Sequence, residues 1–144
     1  FNSIGILYFN QGDIDTSLNH FENAYDVLKE IDSDSDLSAA TILRNKGNAY
    51  YDKESFDEAI LSYRSSIKIF RAFLGDNHED VLKSLTDIGK AYFGKRWLEK
   101  ALQIFDLVLQ RQKMYHPSNR INISKTYDNI AEIHLTRGSY SNSA

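Results

Sequence analysis

The amino-acid sequence repeats with a period of 42 residues, and this repetition constrains the fold more than any other feature. One column of the repeat holds small residues: Gly5, Gly47, Gly89 and Ala131. Three residues further on, a second column holds Tyr8, Tyr50, Tyr92 and then His134. Two later columns hold small residues (Ser17, Ala59 and Ala101) and aromatic residues (Phe21, Tyr63 and Phe105). Because these columns share one period, we expect an array of similar structural units.

The order of small and aromatic columns predicts two antiparallel helices in each unit. Two helices cross closely only where small side chains lie at the crossing, and the aromatic residues fill the space on either side. Each large side chain that is fully buried stabilises the fold by roughly 1.5–3 kcal/mol. A single helix pair cannot bury its apolar face alone, so the units must stack on one another.

Apolar residues at helical spacing give the expected helix bounds. First helices are predicted at roughly 1–11, 37–53, 79–95 and 119–137, and second helices at roughly 14–31, 56–74 and 98–114. Ser55 and Glu58 are predicted to form a capping box at the start of a second helix. Gly12 and Gly138 are predicted to end first helices, and Tyr140 continues the column of Ile14, Phe56 and Leu98 where second helices begin.

The predicted fold is therefore all-α, an α-α superhelix of three helix pairs and the first helix of a fourth. We expect one domain over residues 1–144, with units at about 1–36, 37–78, 79–118 and 119–144. The sequence opens with Phe1 and both of its ends fall in the middle of the pattern, so it is expected to be a piece of a longer protein.

These columns resemble the tetratricopeptide repeat, TPR, a helix–turn–helix family. The segment from Leu85 to Tyr92 resembles the first helix of such a repeat, and the segment from Trp97 to Phe105 resembles the second. The ordinary TPR period is about 34 residues. The 42-residue spacing, with a linker that carries Leu74, Gly75, His78 and Val81, is similar to the kinesin light chain subfamily. The resemblance implies a superhelix whose first helices line a concave groove that binds peptides, as in an adaptor that recruits cargo proteins.

The faces of the first helices that do not carry the core columns are expected to line this groove. The candidate peptide-binding residues are Asn2, Arg44, Asn48, Tyr51, Lys83, Lys90 and Phe93. Asparagine amides suit a peptide backbone, basic side chains suit an acidic peptide, and aromatic side chains suit apolar anchors. The alternative for Tyr51 and Phe93 is packing against the adjacent helix. The alternative for the charged residues is a solvated face, because Asp52, Asp87 and Glu132 are interleaved with them.

Lys46 departs from a column otherwise filled by isoleucine, and its ammonium is expected to reach the surface along an extended stem. Trp97, the sole tryptophan, is a candidate for a partner contact or for packing under a turn. His78 is expected to cap a helix or to form hydrogen bonds in its inter-unit loop.

Composition excludes several other functions. The formal net charge is −3 and no run of Lys or Arg occurs, so a nucleic-acid partner is not expected. The absence of cysteine excludes disulfides and thiolate metal sites, and favours a reducing, cytoplasmic location. No apolar stretch approaches the length of a membrane span, so no membrane partner is expected.

No catalytic, cofactor or metal site is predicted. The acidic run over residues 32–36 resembles a calcium loop, but Leu37 and Leu43 stand where the loop needs Gly and Glu, so it is interpreted as a solvated loop that caps the next helix. No two of the four histidines are spaced four residues apart, and no phosphate-binding or nucleophile motif occurs. The glycosylation triplet at Asn122 is interpreted as chance.

The sequence thus predicts a non-catalytic scaffold for a protein or peptide partner, of kinesin-light-chain type. Two alternatives stay open: the regulatory section of a larger signalling ATPase or transcription regulator, and the targeting section of an enzyme. End-to-end self-association is also expected, since solenoids normally carry polar capping units at their ends.

Overall fold

The computed structural model describes residues 2–31 and 36–143 and contains seven α-helices over these ranges, with no strand among them. First helices of the units are α1 (Asn2–Asn10), α3 (Leu37–Asp52), α5 (Glu79–Gly94) and α7 (Arg120–Ser143). Second helices are α2 (Ile14–Glu30), α4 (Phe56–Leu74) and α6 (Leu98–Tyr115). The predicted all-α superhelix of three helix pairs and a further first helix is confirmed.

The glycine column lies where the two helices of each hairpin cross. A Cβ atom built on Gly5 would lie 2.7 Å from the ring of Phe21, one on Gly47 would lie 2.6 Å from the ring of Tyr63, and one on Gly89 would lie 2.6 Å from the ring of Phe105. The three hairpins therefore share one crossing contact, and Ser17, Ala59 and Ala101 are fully buried in each of them. Ala131 continues the column but is exposed. Within the described residues α7 packs on α5 and α6, and no second helix follows α7 to complete a hairpin with it.

The turn inside each hairpin has the same backbone conformation. Gly12, Glu54 and Arg96, again 42 residues apart, all have positive φ, at 85°, 62° and 66°. The backbone N–H of the next residue donates across the turn, as in Ser55 to the Tyr50 oxygen at 2.9 Å and Trp97 to the Tyr92 oxygen at 3.0 Å. These bonds satisfy carbonyl groups that the helix end leaves open.

Three local predictions were wrong. α7 continues through Gly138 and Tyr140 to Ser143, so Gly138 does not end a helix and Tyr140 does not begin one. Ser55 is the N-cap residue of α4 but its side chain makes no capping hydrogen bond. At the equivalent position before α2, Asp13 has a similar ψ of 80° and does cap its helix through the Thr16 N–H, so the longer aspartate side chain makes a bond that the serine side chain does not make.

Other local predictions agree with the structure. The Lys46 ammonium lies 3.6 Å from the Glu22 carboxylate, at the end of a stem that crosses the packing surface. His78 caps α5, because its Nδ1 accepts a hydrogen bond from the Asp80 N–H at 3.1 Å. Asp36, the last residue of the acidic run, caps α3 through the Ala39 N–H at 3.1 Å; residues 32–35 lie outside the described residues.

The hairpins stack in chain order. Each second helix packs against the first helix of the next unit, and neighbouring first helices (α1 with α3, α3 with α5, α5 with α7) also contact one another. Across the described ranges, the second helices α2, α4 and α6 make no such contact among themselves. The first helices thus form one wall of the array and the second helices form the opposite, more open wall. None of the described helices is long and apolar enough to cross a membrane.

Candidate functional site

The wall formed by the first helices carries three adjoining recesses, which we call the concave groove. Their volumes are about 240, 230 and 220 Å³. Lys90, in the middle of α5, lines all three of them, and Tyr51 on α3 lines two. The groove is therefore continuous across α3, α5 and α7 and is centred on one lysine.

The recess between α5 and α7 is polar. It is lined by Arg44, Glu79, Leu82, Lys83, Thr86, Asp87, Lys90, Gln112, His116, Asn119, Asn122, Lys125 and Thr126. Four of these residues are Lys or Arg and two are Asp or Glu, so basic side chains outnumber acidic ones. Side chains of α3, of α5 and α6, and of α7 meet in this recess, and only stacking of the second, third and fourth units brings these distant parts of the sequence together.

Arg44 is partly committed to the fold. Its Nε lies 3.2 Å from Asp87 Oδ2, and this ion pair joins α3 to α5. Burial raises the pKa of Asp87, while the nearby charges of Arg44 and Lys90 act to lower it. The carboxylate of Asp87 is thus engaged by an arginine on the neighbouring helix, and both side chains hold the wall of the groove together.

Lys83, Lys90 and Lys125 are three of the basic residues that line this recess. Among the described residues none of the three makes an ion pair within 4.0 Å, and all are exposed. The second acid of the recess, Glu79, accepts a hydrogen bond from Asn119 at 3.0 Å, and this bond lowers the pKa of Glu79. The lysines therefore give this end of the groove a positive character, which the nearby carboxylates of Glu79 and Asp87 partly offset.

Asn48 is partly committed to the fold. Its Oδ1 accepts a hydrogen bond from the Tyr63 hydroxyl at 2.7 Å, which holds the ring of Tyr63 under Gly47. Asn48 also lines the recess between α1, α3 and α5, where its Nδ2 group remains as a donor. The Tyr63 hydroxyl is buried, which raises its pKa, so it stays protonated and donates.

Tyr51 and Phe93 combine packing with a place in the groove. The ring of Tyr51 meets the ring of Phe56 edge-on at 5.5 Å, so the predicted alternative of packing against the adjacent helix describes part of its surroundings. Both Tyr51 and Phe93 are half-buried and line the middle recess together with Lys90 and Glu132. The two rings thus supply the apolar part of a recess that also carries polar groups.

Asn2 begins α1 at one end of the array. Its side chain lies outside what the structure describes. Most of the residues that line the three recesses lie on α3, α5 and α7.

Sequence reasoning missed the polar residues at the α6–α7 junction. Gln112 is buried and accepts a hydrogen bond from the Thr126 hydroxyl at 2.7 Å, and His116 Nε2 lies 2.7 Å from the Asn77 oxygen. A buried glutamine in the middle of an apolar helix face was the available signal.

Trp97 lies elsewhere, at the turn before α6: it stacks on Tyr92 at 5.7 Å and remains 48% exposed. Among the described residues no cluster of His, Asp and Glu has the arrangement of a metal site.

Known structures share this arrangement of helices. BtubC (BKLC) from P. vanneervenii superimposes with a TM-score of 0.88 at 18% identity, over 97% of this chain and 56% of that one. The putative kinesin light chain TPR-like repeats from Podosopora anserina superimpose with a TM-score of 0.80 at 15% identity, over 98% of this chain and 66% of theirs. At such identities the likeness establishes the fold, and it confirms the predicted resemblance to kinesin light chain repeats at that level.

Sequence comparison gives the family. A stretch of 59 residues is 39% identical to anaphase-promoting complex subunit cut9 from Schizosaccharomyces pombe, over 41% of this chain and 9% of cut9. This chain therefore spans less than a tenth of that relative. The tetratricopeptide repeat family model matches residues 1–72 and 38–97, which together cover more than half of the sequence. The chain belongs to the tetratricopeptide repeat family.

Proposed function

We propose that the concave groove binds an extended, acidic segment of a partner protein, and that the chain works as a non-catalytic scaffold. Proteins of this family generally mediate protein–protein interactions, and their fold is typically a non-catalytic scaffold. The observation that carries the acidic preference is a set of three lysines around a recess whose two acids already accept hydrogen bonds. Within the described part of the chain, Lys83, Lys90 and Lys125 form no ion pair within 4.0 Å.

The groove gives such a segment a direction. Carboxylates of the segment would lie at the α5–α7 end, beside Lys83 and Lys125, because charge-assisted hydrogen bonds form there without displacing an existing partner. An apolar side chain would lie between Tyr51 and Phe93. The Nδ2 group of Asn48 would donate to a backbone carbonyl of the segment.

A peptide array tests this proposal. The array carries 12-residue peptides, each with a central proline that keeps it extended, and it varies the number of Asp and Glu residues beside one leucine. We expect binding to require the acids, and we expect the Lys83→Glu/Lys90→Glu variant to weaken the best peptide by roughly tenfold or more in fluorescence anisotropy. Charge reversal of Arg44 is a poor test, because it would also remove the ion-pair partner of Asp87.

The matched control reverses two lysines on the opposite wall, Lys68→Glu/Lys100→Glu, which changes the net charge equally. This control is expected to keep the affinity of the extended peptide within about twofold. Equal weakening by both variants would mean that only the overall charge matters. Equal binding of neutral peptides would remove the acidic preference.

The proposed biological role is a cytoplasmic adaptor of kinesin-light-chain type. The support is the similarity of the fold to the kinesin light chain repeats and the partial match to cut9, whose name places it in a multi-subunit complex. Pull-down of a kinesin heavy chain by the full protein would support the role. A Walker-A motif in the flanking sequence would instead favour the signalling ATPase, and a hydrolase or transferase signature would favour the enzyme.

We also propose that copies of the chain associate end to end, through the apolar side chains of the first and last helices of the array. Ile4 and Leu7 on α1 are 45% and 55% exposed, and Tyr127 and Leu135 on α7 are 48% and 73% exposed. Stacking the α7 face of one copy on the α1 face of another would remove this apolar surface from water. We expect the sedimentation coefficient to rise with concentration and to stop rising in Leu135→Glu. A concentration-independent coefficient for the unmodified chain would contradict it.

A further inference from the structure

The open wall of the array, opposite the concave groove, contains a second and larger groove. α4 and α6 both pack on α5, yet within the described residues they do not pack on each other. The gap between them has a volume of about 810 Å³, compared with about 240 Å³ for the polar recess of the concave groove. We call this gap the convex groove.

The interior of the convex groove is apolar. Leu85, Ile88 and Tyr92 of α5 form its floor, and Ile67 of α4 and Ile104 of α6 form its lower walls. The Tyr92 hydroxyl is already satisfied, because Arg64 Nη2 donates to it at 2.7 Å. A ligand that fills this groove must therefore bring apolar side chains and needs no donor or acceptor at the floor.

The rim of the convex groove is basic. Arg64, Lys68 and Arg71 stand on the α4 side and Lys100 on the α6 side, and no acidic residue lines the groove. Lys68 makes no ion pair among the described residues, and the Lys100 ammonium lies over the rings of Tyr92 and Trp97, at 5.3 and 5.7 Å from their centroids. Of the four rim residues, only Arg71 forms an ion pair with an acid of the described ranges, Asp76 at 2.9 Å.

The preceding position of the array has the opposite charge. One period earlier, Glu22, Asp26 and Glu58 replace Arg64, Lys68 and Lys100, and all three acids are exposed. Lys46 replaces Ile88 of the floor and pairs with Glu22. An acidic ligand is therefore repelled between α2 and α4 and attracted between α4 and α6, so the charge pattern selects one position out of two similar ones.

We propose that the convex groove docks an acidic amphipathic helix of a partner protein. A helix lies in such a groove with apolar residues at i, i+3, i+4 and i+7 directed to the floor and its flanking residues at the rim. The α4 wall runs from Arg64 to Ala72, a rise of about 12 Å, which matches roughly two turns of the docked helix. Its acids meet Lys68 and Lys100, while its apolar side chains contact Leu85 and Ile104.

The fluorescence of Trp97 allows binding of a helix in the convex groove to be measured directly. Trp97 is the sole tryptophan and stacks on Tyr92 of the floor, so its emission reports on the convex groove. The probe is a capped 16-residue peptide with leucine at helical spacing, glutamate on both flanks and alanine on the outer face. Two matched peptides replace every glutamate with lysine or every leucine with serine.

We expect the acidic peptide to change the Trp97 emission saturably, and the lysine and serine peptides to bind about tenfold more weakly or not at all. Lys68→Glu/Lys100→Glu should weaken the acidic peptide by roughly tenfold or more, and Lys83→Glu/Lys90→Glu should leave it within about twofold. Both pairs are exposed, and circular dichroism verifies that each variant remains helical.

The result that would overturn the proposal is a loss of binding in the Lys83→Glu/Lys90→Glu variant alone, which would assign the acidic helix to the concave groove. Equal binding of the lysine peptide, or no binding of the acidic one, would also overturn it. None of these three outcomes bears on the binding of extended peptides to the concave groove, so the two proposals are tested separately.

Discussion

Replacing Gly89 with leucine is expected to lower the free energy of unfolding by about 3 kcal/mol or more. The first atom of any side chain at this position would lie 2.6 Å from the ring of Phe105, and a leucine adds three more carbons. The ring is 1% exposed and is enclosed by the hairpin, so it has no space into which to move. The two helices must separate or the ring must leave the core, and urea unfolding measures the loss.

Ala131→Leu is the matched control for this substitution. Ala131 occupies the same column of the repeat but is exposed on α7. The added side chain therefore meets solvent, and we expect a change within about 0.5 kcal/mol. A Gly89→Leu variant that melts within about a degree of the parent would mean that α5 and α6 do not cross as described.

Phe105→Ala should destabilise the chain from the other side of the same contact, by about 3–5 kcal/mol. The substitution removes a fully buried ring from the larger core cluster and leaves a cavity facing Gly89. A glycine offers no side chain to fill that cavity, and the helix backbones cannot collapse into it without disturbing α4 and α7.

The control on the same helix is Tyr115→Ala, since Tyr115 is 51% exposed at the end of α6. Its unfolding free energy should stay within about 0.5 kcal/mol of the parent. Hydrogen exchange in Phe105→Ala should show the largest loss of protection in α5 and α6 and a smaller loss in α1 and α2, because repeat units interact mainly with their neighbours. Uniform loss along the chain would contradict this local behaviour.

The helices were predictable because sequence and packing point the same way. A small residue opposite a ring, repeated at a fixed period, has one simple physical explanation, and Gly47 with Tyr63 illustrates it. The turns were less predictable. Glu54 and Arg96 adopt the left-handed backbone that Gly12 adopts, although such a conformation costs a non-glycine residue about 1–2 kcal/mol. Packing of the two helices outweighs that cost.

Gly138 illustrates the reverse case. A glycine inside a helix lowers the stability of the helix by only about 1 kcal/mol relative to alanine. A glycine therefore ends a helix only when another contact favours the turn. After Gly12, the second helix α2 packs back on α1 and supplies that contact. Within the described residues no helix follows α7 and packs back on it as α2 does on α1, and α7 continues to Ser143.

The sequence predicted which helices line the concave groove, but not which of its side chains already form bonds within the fold. The 42-residue period places Arg44 and Thr86 in one column, yet the partner of Arg44 is Asp87, one residue further on. Such an offset depends on how the units rotate against one another, which the period does not specify. The same holds for Asn48, whose amide oxygen is used by Tyr63 of its own hairpin.

The one-directional stacking of the hairpins has a mechanical consequence. Each described helix touches only its chain neighbours, and each first helix also touches the next first helix, so no contact spans the whole array. Small rotations between neighbouring helix pairs therefore add up along the length of the array. Stretching or twisting the two ends would alter the curvature of both walls together, and tension applied to the chain would change the width of the opening available to a bound segment.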